Sequence, residues 1–408
     1  MLTNEESRVG TYPQIGTPTY PGAVTTDTPL TDLDLNWTEK QLPQSQRTKH
    51  VHGLHPYLGK YIPQLVEVFL RRFFSPGQRV LDPFVGSGTT LVQANELSIR
   101  SVGYDVSAFN VLLSQVKTDN YDVVEAEREA KDVLQRTSVI VNRVNGQLSF
   151  WEQAAEGLEI LPVDNQYLQD WFAPQALREL LTYRALLESG SYQYKNLLRI
   201  ILARSARSAR LTTHFDLDFP KRPQREPYSC YKHSRICYPT EEAYKFLARY
   251  TRDTIQRIQE WQRVRTEVEV LVYHNDSRQV DVPISDGIIT SPPYVGLIDY
   301  HVQHEYAYHL LGLHDNRHRE IGPASSGTSR TAIASYQADI AKVFSNVTKQ
   351  MPSGAPIVVV AGDRHNLYPR IAEMAELKQE TVVQRHVNRR TGRRAGEFYE
   401  SVFIWRKP

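Results

Sequence analysis

The chain has 408 residues, 40% of them hydrophobic, and a formal net charge of +2. That length supports a full core, as one large domain with an insertion or as two domains. No run of about 18 apolar residues occurs, so no membrane span is expected; the near-neutral charge does not by itself mark a nucleic-acid binder, and two cysteines, Cys230 and Cys237, are too few for a disulfide framework.

Residues 1–35 are rich in Thr, Pro and Gly, show no hydrophobic period and read as an extended, flexible arm. They carry no basic-then-apolar leader pattern, which makes a cytoplasmic protein of prokaryotic type the expectation. From Gln64 to Phe74 apolar residues recur at helical spacing, and Ser75-Pro76-Gly77 ends that helix. Arg79–Asp82 reads as a short buried strand, Thr89–Leu97 as a helix, and Ser101–Asp105 as a second strand ending on an acid. Strand, glycine turn, helix, strand and acid open a doubly wound α/β domain.

The pattern then turns helical over about 120–265, interrupted by a Pro-, Arg- and aromatic-rich stretch around Phe215–Thr240. Strand signals resume at Val268–Tyr273, Gly287–Thr290 and Pro356–Ala361, and the C-terminal stretch reads as two strands around a basic turn. The expected organisation is an arm (1–35), a first catalytic part (36–120), a mostly helical insertion (121–265) and a second catalytic part (266–408).

Two motifs carry chemistry. The first is Asp82-Pro83-Phe84-Val85-Gly86-Ser87-Gly88-Thr89-Thr90. Its glycines let the backbone turn sharply beside a ligand, and the helix after it aims N–H groups at whatever lies there. Asp105 stands where a carboxylate can accept both hydroxyls of a ribose. Taken alone, this signature fits any nucleotide-binding α/β protein; a P-loop is not supported, because Thr89-Thr90 stands where Lys-Ser/Thr is required. The second motif, Ser291-Pro292-Pro293-Tyr294, follows an apolar strand. Two prolines remove two backbone donors and leave carbonyls free to face a cleft. A hydroxyl, a fixed carbonyl and an aromatic face suit a planar group bearing an amine, although a Pro-rich turn ending a strand is the alternative.

Together the motifs resemble those of the DNA amino-methyltransferases, which methylate cytosine N4 or adenine N6. The resemblance implies a Rossmann-like, S-adenosylmethionine-dependent methyltransferase fold with a helical insertion as target-recognition region. It implies cofactor contacts from Asp82, Pro83, Phe84, Gly86, Ser87, Gly88, Thr89 and Asp105, and from His55, Pro56 and Lys60, which are similar to the segment closing over the methionine end. Asp276, in Asp276-Ser277-Arg278, is similar to the acid near the adenine; in the family that acid usually precedes the recognition region, so either the insertion point differs here or Asp276 has another role. Ser291, Pro292, Pro293 and Tyr294 match the catalytic motif. Serine at its head leans toward cytosine N4, with adenine N6 the alternative. Neither cysteine follows a proline, so the Pro-Cys nucleophile of cytosine C5 methylation is absent. The family implies double-stranded DNA as partner, together with a cognate restriction endonuclease in a restriction-modification setting. An RNA substrate and a non-catalytic DNA-binding protein are the other readings.

Arg389, Arg390, Arg393 and Arg394 crowd into the basic turn, where like charges repel unless a polyanion compensates them. Arg204, Arg207 and Arg210 share one helical face and read either as phosphate contacts or as a solvated face. Cys230, His233 and Cys237, with His214 upstream, lack the tighter pairing of a zinc site and read as free thiols in a loop. Tyr300, His301, His304 and Glu305 read as scaffolding beside the pocket, and no catalytic metal is expected.

Overall fold

The structure, a computed structural model, describes residues 17–144, 165–212, 222–230, 234–387 and 398–408. His214, His233, Arg389, Arg390, Arg393 and Arg394 lie outside the described residues.

The chain enters through the short helix α1 (Gln44–Arg47) and the longer α2 (Pro63–Phe73). Proline at the first position of α2 loses nothing, because that N–H has no helical partner. Strand β1 (Arg79–Asp82), α3 (Thr89–Glu96), β2 (Arg100–Asp105) and α4 (Ala108–Thr118) follow. Next come α5 (Val123–Val144), α6 (Gln166–Trp171), α7 (Pro174–Ser189), α8 (Lys195–Ala209), the small antiparallel hairpin β3 (Tyr228–Cys230) and β4 (Arg235–Cys237), and α9 (Tyr244–Gln262). The sheet resumes with β5 (Val270–His274) and β6 (Gly287–Thr290), then α10 (Tyr300–Gln303), α11 (Glu305–Leu311) and α12 (Arg330–Val347). The chain ends with β7 (Pro356–Ala361), α13 (Tyr368–Met374), β8 (Lys378–Val387) and β9 (Phe398–Arg406).

Seven strands form one sheet in the order β5-β2-β1-β6-β7-β9-β8. The five from β5 to β7 are parallel, and β9 runs against both of its neighbours. All six residues of β7 are buried, as a parallel strand covered on both faces requires. The expected Rossmann-like α/β class is therefore the one observed. One face of the sheet packs on α12 and α13 through Phe344, Ile340, Tyr368 and Trp405. The other packs on α2 and α3 through Phe69, Leu65 and Ala94.

Residues 17–35 depart from the extended arm that their composition suggests. Leu33 and Leu35 are buried, as is the neighbouring Trp37, and they join the cluster around α2. Isolated apolar residues set among polar ones leave no periodic signal, yet each finds a place against the core.

Between β2 and β5, which pair directly, α4 returns the chain across the sheet. Helices α5 to α9 are then suspended from its end. Trp261 Nε1, at the close of α9, donates to the Asp119 carbonyl at 3.0 Å, just past α4. A third apolar cluster runs from Phe109 and Leu113 of α4 into α7, α8 and α9, so these helices share a core with the sheet layer.

Candidate active site

At the carboxyl ends of the parallel strands lies a cleft of about 820 Å³, within the range of cofactor sites. Its floor is the glycine turn after β1. Gly86 and Gly88 have φ of +48° and +75°. A Cβ on Gly88 would lie 3.0 Å from the Ser114 hydroxyl, so both conformation and space require glycine there. The turn is held from below: Ser114 Oγ donates to Gly86 O at 2.9 Å, and the fully buried Lys117 donates to Ser87 O at 2.7 Å. Gly88 caps α3 without a side-chain acceptor, leaving the first N–H groups of that helix for another partner.

Asp82 sits beneath this turn, buried, and does not line the cleft. It accepts from Thr290 Oγ1 at 2.6 Å, Tyr61 OH at 3.1 Å and Phe84 N at 3.1 Å. Burial pushes its carboxyl up to about 6 in spite of those donors. It therefore ties β1, β6 and the segment before α2 together. Asp105, at the end of β2, lines the cleft and accepts from Gly86 N, Ser107 N and Asn110 Nδ2 at 2.8–3.1 Å. Burial raises its pKa, and the three donors oppose that rise.

Asp276 lines the same cleft, which brings it together with Asp105 although about 170 residues separate them. Its carboxylate is taken up by Arg278 at 2.7–3.1 Å; burial alone would raise its pKa, and Arg278 holds it below the ordinary value. The helical insertion thus enters between the strands that precede these two acids. Lys60 lines the cleft and donates to His52 O at 2.8 Å, and burial, then Arg257, lowers its pKa to about 8. His55 and Pro56 do not line the cleft. His55 is buried against Phe109 and His304, with its ring nitrogens at Pro56 O (2.7 Å) and Tyr306 OH (3.0 Å).

Ser291 and Pro293 line the cleft from the β6 side. Ser291 Oγ donates to Val360 O of β7 at 2.9 Å, and Pro293 O accepts from Tyr336 OH at 2.8 Å. Pro292 is buried and Tyr294 points away from the cleft floor. The Tyr294 hydroxyl donates to Glu400 at 3.3 Å, and its ring edge abuts Gly362 after β7, with Phe398 on the other side. Burial, then Glu400, raises the Tyr294 pKa well above its ordinary value.

Glu320 and Ile321 had no sequence signal; they form the outer wall with Tyr57, from the segment before α2, and with Tyr300, which read as scaffolding beside the pocket. Tyr57 stacks on Tyr300 and His304, and Glu320 accepts from His301 N at 2.7 Å and contacts its Nδ1. Ser107 and Asn110 were the legible omission: serine just past the strand-ending acid, before an apolar helix, is a capping signal.

The arginines of α8 differ from expectation. Arg204 is mostly buried, paired with Asp253 and stacked on Tyr250, and Arg210 is buried against Trp171 and Tyr306. Both face the helical core. A helix packed between neighbours presents its arginines inward where carboxylate and aromatic partners await them, and periodicity alone does not choose the face. Arg207, between them, is half-buried. Arg385, in β8, is likewise buried and pairs with Glu400 at 2.9 Å. Cys230 and Cys237 are buried and not disulfide-bonded, on paired strands of the small hairpin.

The cleft suits a nucleoside bearing a charged tail. Ser87 and Asn110 line it, and Ser87 Oγ is buried without a hydrogen-bond partner among the described residues; Phe84, Ile321 and Val343 supply apolar wall. Asp105 at a strand end, an acceptor for ribose hydroxyls, and Lys60, a donor for a carboxylate, complete the lining.

Residues 19–115 match the family described as DNA methylase. The chain is 35% identical over 439 residues to the type II methyltransferase M.MjaII of Methanocaldococcus jannaschii, spanning 91% of this chain and 83% of that protein. It is 22% identical to the type II methyltransferase M.BsoBI of Geobacillus stearothermophilus, over 69% of this chain and 56% of that one. Among solved structures, TrmN from Thermus thermophilus is 12% identical with a TM-score of 0.31, covering 86% of this chain and 50% of that one.

Proposed function

The chain belongs to the DNA amino-methyltransferases, with S-adenosylmethionine as cofactor, and from that premise we propose that it methylates the N4 amine of a cytosine flipped out of duplex DNA. The cofactor supplies an electrophilic methyl group. The protein's own contribution is position and polarity.

The observation that carries the reading is the commitment of the Ser291 proton. Because Ser291 Oγ donates to Val360 O, its remaining capacity is as an acceptor, and it takes an N–H of the incoming amine. The Pro292 carbonyl, which accepts no hydrogen bond among the described residues, takes the other. Two acceptors on two N–H groups leave the nitrogen lone pair facing the methyl group, and they draw charge onto the nitrogen as the bond forms. Tyr294 stacks on the extruded base, offsetting an unpairing cost of a few kcal/mol.

In this reading the glycine turn (Pro83, Phe84, Gly86, Ser87, Gly88, Thr89) and Lys60 hold the cofactor's methionine part, Asp105 its ribose, and Asp276 marks the adenine side. Asp82, His55 and Pro56 brace those contacts. The helices of residues 121–265 serve as target-recognition region, through side chains other than the inward-facing Arg204 and Arg210. The basic turn Arg389, Arg390, Arg393 and Arg394 meets the DNA backbone; replacing all four with Ala should flatten the salt dependence of DNA binding by about 0.9 per lost phosphate contact. A cognate restriction endonuclease belongs to the same proposal.

Mass spectrometry of digested DNA, modified by the purified protein, tests the base assignment. N4-methylcytosine is expected. N6-methyladenine would move the assignment to adenine and keep the amine chemistry, whereas 5-methylcytosine would overturn both. Methyl transfer to tRNA in place of duplex DNA would overturn the substrate.

A further inference from the structure

The segment that delivers Tyr57 and Lys60 to the cleft begins on a short 3-10 turn, His50–Gly53, packed against the end of α3. There His50, His52 and Glu96 converge, with one ligand atom of each within 4.8 Å of the other two. His50 and His52 are 6% and 1% exposed, and the Glu96 side chain 14%. Each residue contributes a buried atom without a hydrogen bond: His50 Nε2, His52 Nδ1 and Glu96 Oε1.

For His52 and Glu96 the surroundings fix which atoms are bare; both ring nitrogens of His50 lack a hydrogen-bond partner among the described residues. His52 Nε2 lies 3.0 Å from Gln93 Oε1, an acceptor, so that nitrogen carries the proton and Nδ1 turns an unshared lone pair inward. Metal-ligating histidines are held in this way, with the other ring N–H on a carbonyl. His50 Nε2 stands 3.0 Å from Glu96 Oε1, at ion-pair distance. The second carboxylate oxygen, Oε2, receives Lys49 Nζ at 2.6 Å, which leaves Oε1 to the cluster. An ion pair between His50 and Glu96 accounts for those two groups and leaves the His52 lone pair unexplained. His50 also has φ of +30°, a conformation a side chain keeps only where its surroundings hold it. Arg257 does part of this, donating to the carbonyls of Thr48 and His50 at 2.9 Å.

We propose that His50, His52 and Glu96 bind a zinc ion, with water as the fourth ligand. Two imidazoles and a carboxylate are a zinc donor set, and ligand atoms up to 4.8 Å apart close to about 3.3 Å around bonds of about 2 Å. None of the three residues lines the methylation cleft, so the ion is structural. It fixes the turn whose His52 carbonyl receives Lys60 Nζ, and through that bond it sets the rim of the cofactor site.

Zinc content of the full chain, measured by mass spectrometry after purification without chelator and again after stripping and reconstitution with zinc chloride, tests this. About one zinc per chain is expected, lost in His52→Ala and in Glu96→Gln, and retained in a Cys230→Ser/Cys237→Ser double variant. Zinc added to stripped protein should raise the melting temperature of the wild type and leave Glu96→Gln unmoved. Glu96→Gln keeps the side chain's size and an acceptor for Lys49, so it reports on coordination even where His52→Ala does not fold. A chain that takes up no zinc under either condition overturns the proposal, and so does zinc that survives both cluster variants or leaves with the cysteines.

Discussion

The Ser291 hydroxyl, just past β6, donates to the Val360 carbonyl of β7 at 2.9 Å, a bond that commits the serine's proton and leaves its oxygen as an acceptor at the edge of the cofactor cleft. Ser291→Ala removes that acceptor and leaves the cleft lining otherwise intact. If the hydroxyl acts chiefly at the transition state, kcat should fall by about tenfold, the equivalent of about 1.4 kcal/mol, with the Kd for S-adenosylmethionine unchanged. Single-turnover kinetics with a parallel cofactor titration checks it. Loss confined to cofactor affinity would remove Ser291 from the amine site.

Gly362 provides a second route to the same site. A Cβ there would lie 2.8 Å from the Phe398 ring and 3.2 Å from the Tyr294 ring edge. Gly362→Ala should push Tyr294 by a few tenths of an ångström and lower kcat/KM for DNA by about tenfold, short of the ~100-fold that follows a full 1 Å misplacement. Cofactor affinity should stay the same. Tyr294→Ala should resemble it, with a loss of about 1–3 kcal/mol in base stacking. Unaltered DNA kinetics in both variants would place the base elsewhere.

Asp105→Ala should weaken S-adenosylmethionine binding by about 1.5–3 kcal/mol, roughly 10- to 150-fold in Kd, through loss of a charge-assisted bond to the ribose. Asp105 also accepts from Gly86 N, so the glycine turn loosens in the same variant. Isothermal titration of a folded Asp105→Ala protein with wild-type affinity would exclude the ribose contact.

Asp82 gives a pH signature. Its carboxyl is raised from 3.8 to about 6 by burial, so the folded chain favours the protonated form. The stability this proton contributes is fully present below pH 3.8 and is lost as pH rises through about 6. Relative to Asp82→Asn, which is neutral throughout, the wild type should lose up to about 3 kcal/mol between about pH 4 and 7 and then level off. Urea midpoints of both proteins across that window decide it; parallel curves would mean that folding leaves the Asp82 pKa unshifted.

The parts of the site carried by short, contiguous chemistry were legible in the sequence. Asp82 to Thr90 needed glycine on both sides of Ser87, and Asp105 ended a strand at readable spacing. Ser291 to Tyr294 announced a strand end, although of its two proline carbonyls that of Pro293 is taken by Tyr336 OH. The outer wall was legible only in part: Tyr300 read as scaffolding beside the pocket, but its meeting with Tyr57, from the segment before α2, and with Glu320 exists only once the chain has folded. The direction of Arg204 and Arg210 was hidden for a different reason: apolar residues surround them on both sides of α8, so no single stripe marks the core. Leu35 and Trp37 were hidden by isolation, since a lone apolar residue gives no period.

The bond between Trp261 Nε1 and the Asp119 carbonyl joins two points 142 residues apart, at the start and finish of the helical segment. Its two ends therefore meet at a single spot on the sheet layer, and the parallel register of β2 and β5 does not depend on how far the chain travels between them. Lengthening such a loop costs little, since closure entropy grows only with the logarithm of its length. The segment is thus a cassette: its far end is free to diverge in size and sequence, and a new segment can be grafted at the same clasp if it reproduces the apolar surface facing Phe109 and Leu113. If the helical segment is the target-recognition region proposed above, that clasp is where its specificity would be exchanged without disturbing the methyl-transfer site.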